Sequence, residues 1–342
     1  MESIHEILES ITSYSEGNVL ATIIHVEGSA YRKEGTSMLF KSNGEQIGML
    51  SAGCLEIDLS YRIKEISEKG TPQTIVYDMS SEDDYSWGQG AGCNGIITVI
   101  LEPVNLSLFE YLNELKRHLL NGNNVSMMKI ISDENAVIEN IFVVNGRTIF
   151  GNYDEKKLEP VKNIMIQKER YFLKSGVTFI EQLGGTVYFH TYKPKPRLIV
   201  FGAGKDSISL VKFASIAGFH VIVTDWRDEL CSEELFQEAD QLIVGFPNEV
   251  IPKLQLTESD SVMIITHQFQ KDREILNFLE NKNLTFLGVL GGKLRTKRLL
   301  NGLNFQQEIN SPAGLKIGAE GPEEIAISIV AELIQIQRCR KE

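Results

Sequence analysis

Cysteine is scarce. The 342-residue chain has four (Cys54, Cys93, Cys231, Cys339) and no CxxC pair, so neither a disulfide scaffold, a zinc ribbon nor an iron–sulfur pattern is indicated. Positive charge is also short: 34 Lys and Arg stand against 46 Asp and Glu, a formal net charge of −12. That deficit argues against a nucleic-acid or anionic-membrane partner, because phosphate-rich partners select a basic surplus. No apolar stretch approaches the ~18 uncharged residues that span a bilayer. The opening Met1–Glu6 lacks the basic start and apolar core of a secretion signal, so the expected location is cytoplasmic. Repeats, a Ser-His-Asp spacing and a paired-carboxylate signature are missing as well, so no catalytic constellation is expected.

What is present is an ordinary globular composition, 42% hydrophobic and 23% charged, over a length that exceeds one comfortable core. The fold class expected is α/β: an N-terminal mixed α/β domain (residues 1–192), then a C-terminal Rossmann-like doubly wound parallel sheet (197–342). Lys193-Pro194-Lys195-Pro196 is the linker between them, since its prolines disfavour helix and central strand. In the first part, helical spacing marks Ser3–Tyr14, a segment from Leu55, Leu106–Leu120 and Glu155–Leu173; strand patterns mark Val19–Val26, Gln73–Tyr77, Ile96–Leu101, Val125–Ile131, Ala136–Val144, Val177–Leu183 and Thr186–Tyr192. In the second, Leu198–Phe201, His220–Thr224, Gln241–Val244, Val262–Thr266 and Thr285–Val289 are short apolar runs of the kind buried on both sheet faces. Helical segments alternate with several of them, ending in one from Pro322 to about Arg338.

Arg197-Leu-Ile-Val-Phe-Gly202-Ala203-Gly204 reads as a strand, a tight turn and a helix start. Gly202 permits the turn, and Gly204 lets backbone approach a pyrophosphate at the helix N-terminus. Asp225 ends the next strand, where a carboxylate accepts hydrogen bonds from ribose hydroxyls. Ser207 replaces the third glycine of the motif. Arg227, Lys293 and Arg295 are further cations near an anionic, nucleotide-like ligand. His267 follows the strand Val262–Thr266, at the strand end where α/β sites gather, whereas His25, His190 and His220 lie within apolar runs and read as core or edge residues.

Two glycine–cysteine loops stand out in the first part. Cys54 lies where a strand gives way to a helix, and the positive end of the helix favours its thiolate. Cys93 sits in Gly90-Ala91-Gly92-Cys93-Asn94-Gly95, a density of glycine that suits backbone folded closely around a ligand. Cys54 and Cys93 are therefore candidates for one shared site, while Cys231 and Cys339 read as packing residues.

Taken together, the chain resembles the XdhC/CoxI family, accessory factors of xanthine dehydrogenase and related molybdenum hydroxylases. The resemblance rests on Gly28-Ser-Ala-Tyr-Arg32, Ser51-Ala-Gly53-Cys54-Leu-Glu56 and Trp87-Gly-Gln-Gly-Ala-Gly92-Cys93-Asn-Gly95 with Leu101-Glu-Pro103. Phe201-Gly-Ala-Gly204, Thr224-Asp225-Trp-Arg227, Thr266-His267 with Asp272, Pro312–Ala319 and Pro322–Ala326 complete it. The family's usual Gly-Gly-Cys-Leu-Glu and Gly-Cys-Gly-Gly are altered here at Ala52 and Asn94, and its histidine after the Gly-Ala-Gly turn is Lys205. The resemblance implies a protein that binds the molybdenum cofactor (molybdopterin), supports its sulfuration with a cysteine desulfurase, and delivers it to a xanthine dehydrogenase-type apo-enzyme, acting as a homodimer. Gly53, Cys54, Glu56, Gly92 and Cys93 are its implied cofactor contacts, with Cys54 and Cys93 as candidate molybdenum contacts. Gly202, Gly204, Asp225 and His267 belong to the Rossmann half, which takes NAD(P), another nucleotide or part of the molybdenum cofactor. An NAD(P)-dependent oxidoreductase and a non-catalytic scaffold remain the alternative readings.

Overall fold

A computed structural model describes residues 4–51, 53–79, 94–131, 137–167 and 174–339. The chain divides into two compact units, 1–194 and 195–342. Among the described residues no helix is long and apolar enough to cross a membrane.

The N-terminal unit holds two five-stranded antiparallel sheets. The first is built from β1 (Val19–Ser29), β2 (Ser37–Phe40), β3 (Gln46–Gly48), β4 (Gln73–Asp78) and β5 (Asn94–Pro103), in the order β3-β2-β1-β5-β4. The second comprises β6 (Val125–Ile131), β7 (Val137–Val144), β8 (Thr148–Asn152), β9 (Gly176–Ile180) and β10 (Gly185–Tyr192), in the order β8-β7-β6-β10-β9. Period-two alternation assigns each strand two faces. On β1, Leu20 and Ile24 join a core with α1 (Ile4–Ser10), α3 (Leu106–Leu120) and the inner face of the second sheet; Val19, Ala21 and Ile23 pack on the opposite face under α2 (Cys54–Lys69). A short α4 (Leu158–Ile166) covers the outer face of the second sheet.

Where sequence and structure differ, local chemistry accounts for it. The glycine loop after β1 begins later than its composition suggests, because Glu27–Ser29 still pair with Asn94–Ile96 in an antiparallel ladder. Residues 155–157 form a 3-10 turn and the helix runs from Leu158 to Ile166, while residues 168–173 of the expected segment lie outside the described residues. Residues 181–183, expected as strand, form a 3-10 turn closed by Gly184 in a left-handed conformation.

The C-terminal unit is a five-stranded, all-parallel sheet with helices on both faces. Its strands are β11 (Arg197–Phe201), β12 (His220–Asp225), β13 (Gln241–Val244), β14 (Ser261–Ile264) and β15 (Phe286–Val289), ordered β13-β12-β11-β14-β15. Relabelled from one, that order is 3-2-1-4-5, the doubly wound arrangement, with its switch point between β11 and β14. Helices α5 (Lys205–Ile216) and α9 (Gly321–Cys339) pack on Leu198, Val200, Val221 and Val223. On the other face, α6 (Pro247–Leu254), α7 (Phe269–Leu279) and α8 (Lys293–Leu299) cover Ile199, Phe201, Ile222, Val262 and Ile264.

Candidate functional site

In the N-terminal unit the topology gathers the glycine-rich turns at one end of the first sheet. β1 ends there, with Gly28 opposite Gly95 and Ser29 opposite Asn94. β4 ends there too: Asp78 pairs with Ile96, and Met79 N–H donates to Gly95 O at 3.0 Å. Beyond Gly48, paired with Met38, β3 runs in the same direction toward this end. The loops 30–36 and 49–53, and both anchors of the segment 80–93, therefore share it. Gly92 and Cys93 lie outside the described residues. Gly95, which follows them, must be glycine because a Cβ would fall 2.4 Å from Glu27 O.

Glu56 shapes the loop that carries Cys54. Its Oε1 accepts from Leu50 N (3.0 Å) and Ser51 N (2.7 Å); its Oε2 accepts from Gly53 N (3.1 Å) and from the Ser51 hydroxyl. A carboxylate so fully engaged with its own loop braces the turn rather than facing a ligand. Gly53 is exposed at φ +108°, which favours glycine, and nothing lies within 4 Å of where its Cβ would be. The Cys54 backbone opens the 16-residue α2, so the residue stands at the positive end of a helix dipole. One turn on, Asp58 accepts from Arg62 (2.6 Å) and from Tyr77 Oη (2.7 Å), tying the start of α2 to the end of β4. Burial alone raises the Asp58 pKa, but these hydrogen bonds outweigh it and hold the carboxyl below its usual value. The start of α2 thus lies beside the strand from which the segment bearing Cys93 departs.

In the C-terminal unit, Gly202 has φ +118° and its missing Cβ would fall 2.4 Å from Ile265 O. Two constraints, backbone hand and contact with the end of β14, fix glycine here. Gly204 is different. At φ −76° it caps α5 in ordinary extended geometry, and a Cβ would meet only the movable Asp206 carboxylate, at 2.8 Å. Neither backbone hand nor backbone contact requires glycine at this position. Ser207 is fully buried and its hydroxyl donates to Gly202 O at 2.6 Å, bracing the turn where the motif has its third glycine.

Asp225 is turned inward. It is 2% exposed; Oδ2 accepts from Ala203 N (2.8 Å) and Arg227 Nη2 (2.8 Å), and Oδ1 accepts from Arg227 N and Nε, both at 2.9 Å. Burial raises its pKa, yet the Arg227 and Ala203 hydrogen bonds win and hold it low. The acceptor positions expected to meet ribose hydroxyls are filled by protein donors. His267 is 59% exposed at its side chain, and its Nε2 lies 2.5 Å from Asp206 Oδ2 across the switch point. It is also one of the few non-glycine residues with positive φ, +59°, a strain that clusters at functional sites. Arg295 pairs with buried Asp272, which also receives the Thr266 hydroxyl. Lys293 is exposed at the start of α8.

Pattern reading overlooked the partners that only the fold supplies. Lys271 Nζ lies 4.7 Å from the Phe246 ring centroid and 5.9 Å from that of Trp226, with Arg227 Cζ 4.7 Å from the same indole. Trp226-Arg227 after a strand-ending acid was the available signal; Phe246 and Lys271 had none. Among the described residues, no group of three or more His, Cys, Asp or Glu could hold a metal ion.

A doubly wound unit with a Gly-x-Gly turn, joined in one chain to a unit of two antiparallel sheets, defines a two-domain α/β class rather than a one-domain Rossmann protein. Residues 198–333 match the XdhC Rossmann domain, residues 15–78 the XdhC and CoxI family, and residues 106–193 a BH1974-like central domain. The chain belongs to the XdhC/CoxI family. It is 43% identical to a probable xanthine dehydrogenase subunit of Bacillus subtilis, over 99% of this chain and 98% of that one. The crystal structure of a xanthine dehydrogenase from Bacillus halodurans superposes with a TM-score of 0.86 at 46% identity, covering 100% of this chain and 97% of the other. The molybdenum cofactor insertion chaperone PaoD of Escherichia coli is 20% identical over 96% of this chain and 86% of its own length.

Proposed function

We propose that this protein is an accessory factor that holds the molybdenum cofactor, supports its sulfuration and inserts it into a xanthine dehydrogenase-type molybdenum hydroxylase. The observation that carries the reading is the arrival of Gly28, Gly95 and the end of β4, tied through Tyr77 to Asp58 near the start of α2, at one end of the first sheet. Likeness to an insertion chaperone over almost the whole chain supports it. The residues present fit such a group. Gly53 leaves open space above an exposed turn, and a thiol at a helix start is a soft donor of the kind molybdenum and a dithiolene tolerate. Cys54 and Cys93 would hold the group, with Gly53 and Gly92 admitting it closely and Glu56 fixing the loop. When bound, the cofactor supplies the redox-active metal that the client enzyme uses. The chain's own part is to bind, to orient and to exclude water and oxidant. A cysteine desulfurase as sulfur source and a homodimeric state belong to the same proposal.

The test is reconstitution of a purified apo-hydroxylase with free cofactor, with and without this protein. Faster or more complete activation with the protein present supports the role; identical activation contradicts it. The His267–Asp206 pair beside the Gly202 turn favours one second reading, a nicotinamide-dependent oxidoreductase. Micromolar binding of NADH or NADPH coupled to substrate turnover would support that reading, and the absence of both would remove it.

A further inference from the structure

We propose that the C-terminal unit recognises its ligand through a phosphomonoester seated against Arg227 and Lys271, beyond the end of β12, and not through a ribose diol. In a doubly wound sheet the end of the second strand reads the sugar nearest the base: an exposed carboxylate accepts from a ribose diol, whereas a nearby arginine accommodates a phosphate. Here the polarity is reversed. The acceptor, Asp225, is internal, with both oxygens occupied by Ala203 N–H and Arg227, so it offers nothing to a hydroxyl. What the mouth presents instead is donors. Arg227 retains a guanidinium edge beyond the Nε and Nη2 spent on Asp225, and its side chain is 29% exposed. Lys271 points over Phe246 toward the same Trp226 ring on which Arg227 lies. Its carboxylate partner, Glu274, is a partly exposed i,i+3 neighbour, a pairing of small worth that a phosphate can displace. Two cations converging on one indole, beside the half-exposed Phe246, suit a phosphate carried by a flat heteroaromatic molecule, with the ring free to stack.

Two sources share this chemistry, a nucleotide bearing a ribose phosphate and a pterin bearing a phosphorylated side chain. The proposal does not rest on the accessory role, which concerns the N-terminal unit. Calorimetric titration of the full chain with two matched pairs tests it: adenosine 2′,5′-bisphosphate against 5′-AMP, and neopterin monophosphate against neopterin. The added phosphate is expected to tighten binding tenfold or more in at least one pair, and the pair that discriminates names the source. Lys271→Gln, which leaves the Asp225–Arg227 pair in place, should cut that ratio threefold or more. Arg227→Gln should release Asp225 and shift preference toward 5′-AMP. Ratios near one in both pairs, no binding of any of the four probes, or a ratio untouched by Lys271→Gln would overturn the proposal.

Discussion

Lys129 and Glu102 meet between the two sheets of the N-terminal unit, and almost none of either side chain is exposed. The ammonium donates to both carboxylate oxygens (2.8 and 2.7 Å) and to Asn140 Oδ1 (2.8 Å), so its three protons are all used. Removing one partner strands a buried charge, which typically costs about 3–5 kcal/mol, whereas replacing both by apolar residues is often near neutral. Glu102→Gln or Lys129→Met should each lower the melting temperature sharply, and the double variant Glu102→Leu/Lys129→Met should recover most of the loss. Equal losses in single and double variants would mean that shape, not charge pairing, matters there. His190 supplies a pH dependence. Desolvation pushes its pKa down to about 4, and its Nε2 is buried without a hydrogen-bond partner. The folded state therefore keeps the ring neutral while the unfolded chain protonates it below about 6.5. Its contribution is intact above about pH 6.5 and is lost as pH falls toward about 4, by up to about 1.4 kcal/mol per pH unit. Urea melts from pH 7 to 4 should show that slope, and His190→Asn should flatten it. The burial of His190 was legible in its apolar run, but the Lys129–Glu102 pair was not. Lys129 looks like a blemish in the apolar run 125–131, and its partner is 27 residues away on another sheet.

At the scale of elements, the two glycines of the phosphate turn make different demands. Gly202→Ala sets a Cβ into the Ile265 carbonyl at a positive φ and should cost about 2–3 kcal/mol. Gly204→Ala should leave stability within about 1 kcal/mol of the parent while weakening ligand binding. Thermal melts paired with titration separate the two, and a Gly204→Ala variant that binds normally would remove the ligand argument for that position. The Glu56 carboxylate gathers four donors of the loop before α2. Glu56→Ala should therefore loosen residues 50–53, seen as faster amide exchange there, at a cost of about 1–3 kcal/mol. Parallel strands were readable because burial on both faces leaves continuous apolar runs, and β11, β12, β14 and β15 carry them. β13, expected to be buried likewise, is an edge strand with Gln241 and Val244 exposed, because no described strand pairs beyond it in the sheet. The orientation of Asp225 was not readable. Its position in the motif marks a sugar acceptor, but whether a strand-ending carboxylate faces outward depends on Arg227 two residues later and on the Ala203 amide 22 residues earlier.

For the whole molecule, the order β13-β12-β11-β14-β15 and the gathering of turns at one end of the first sheet are both products of topology. The former could be inferred, since alternating strand and helix with right-handed crossovers leaves few arrangements. The latter could not. Antiparallel strands of similar pattern admit many pairings, and only the register of β1 with β5 and of β4 with β5 puts Gly28, Gly95 and the ends of 80–93 together. Composition marked the glycine–cysteine loops as chemistry-bearing; pairing brings Met79 and Asn94, which flank one of them, to the end of the sheet where β1 also finishes. The sharpest test is cofactor retention. The full chain, purified from cells that make the molybdenum cofactor, is assayed for molybdenum and for pterin fluorescence beside Cys54→Ala and Cys93→Ala. Near-stoichiometric cofactor on the parent protein, sharply reduced in both variants of unchanged melting temperature, is the expected result. Cofactor held equally by all three proteins, or by none, would contradict a site at the start of α2.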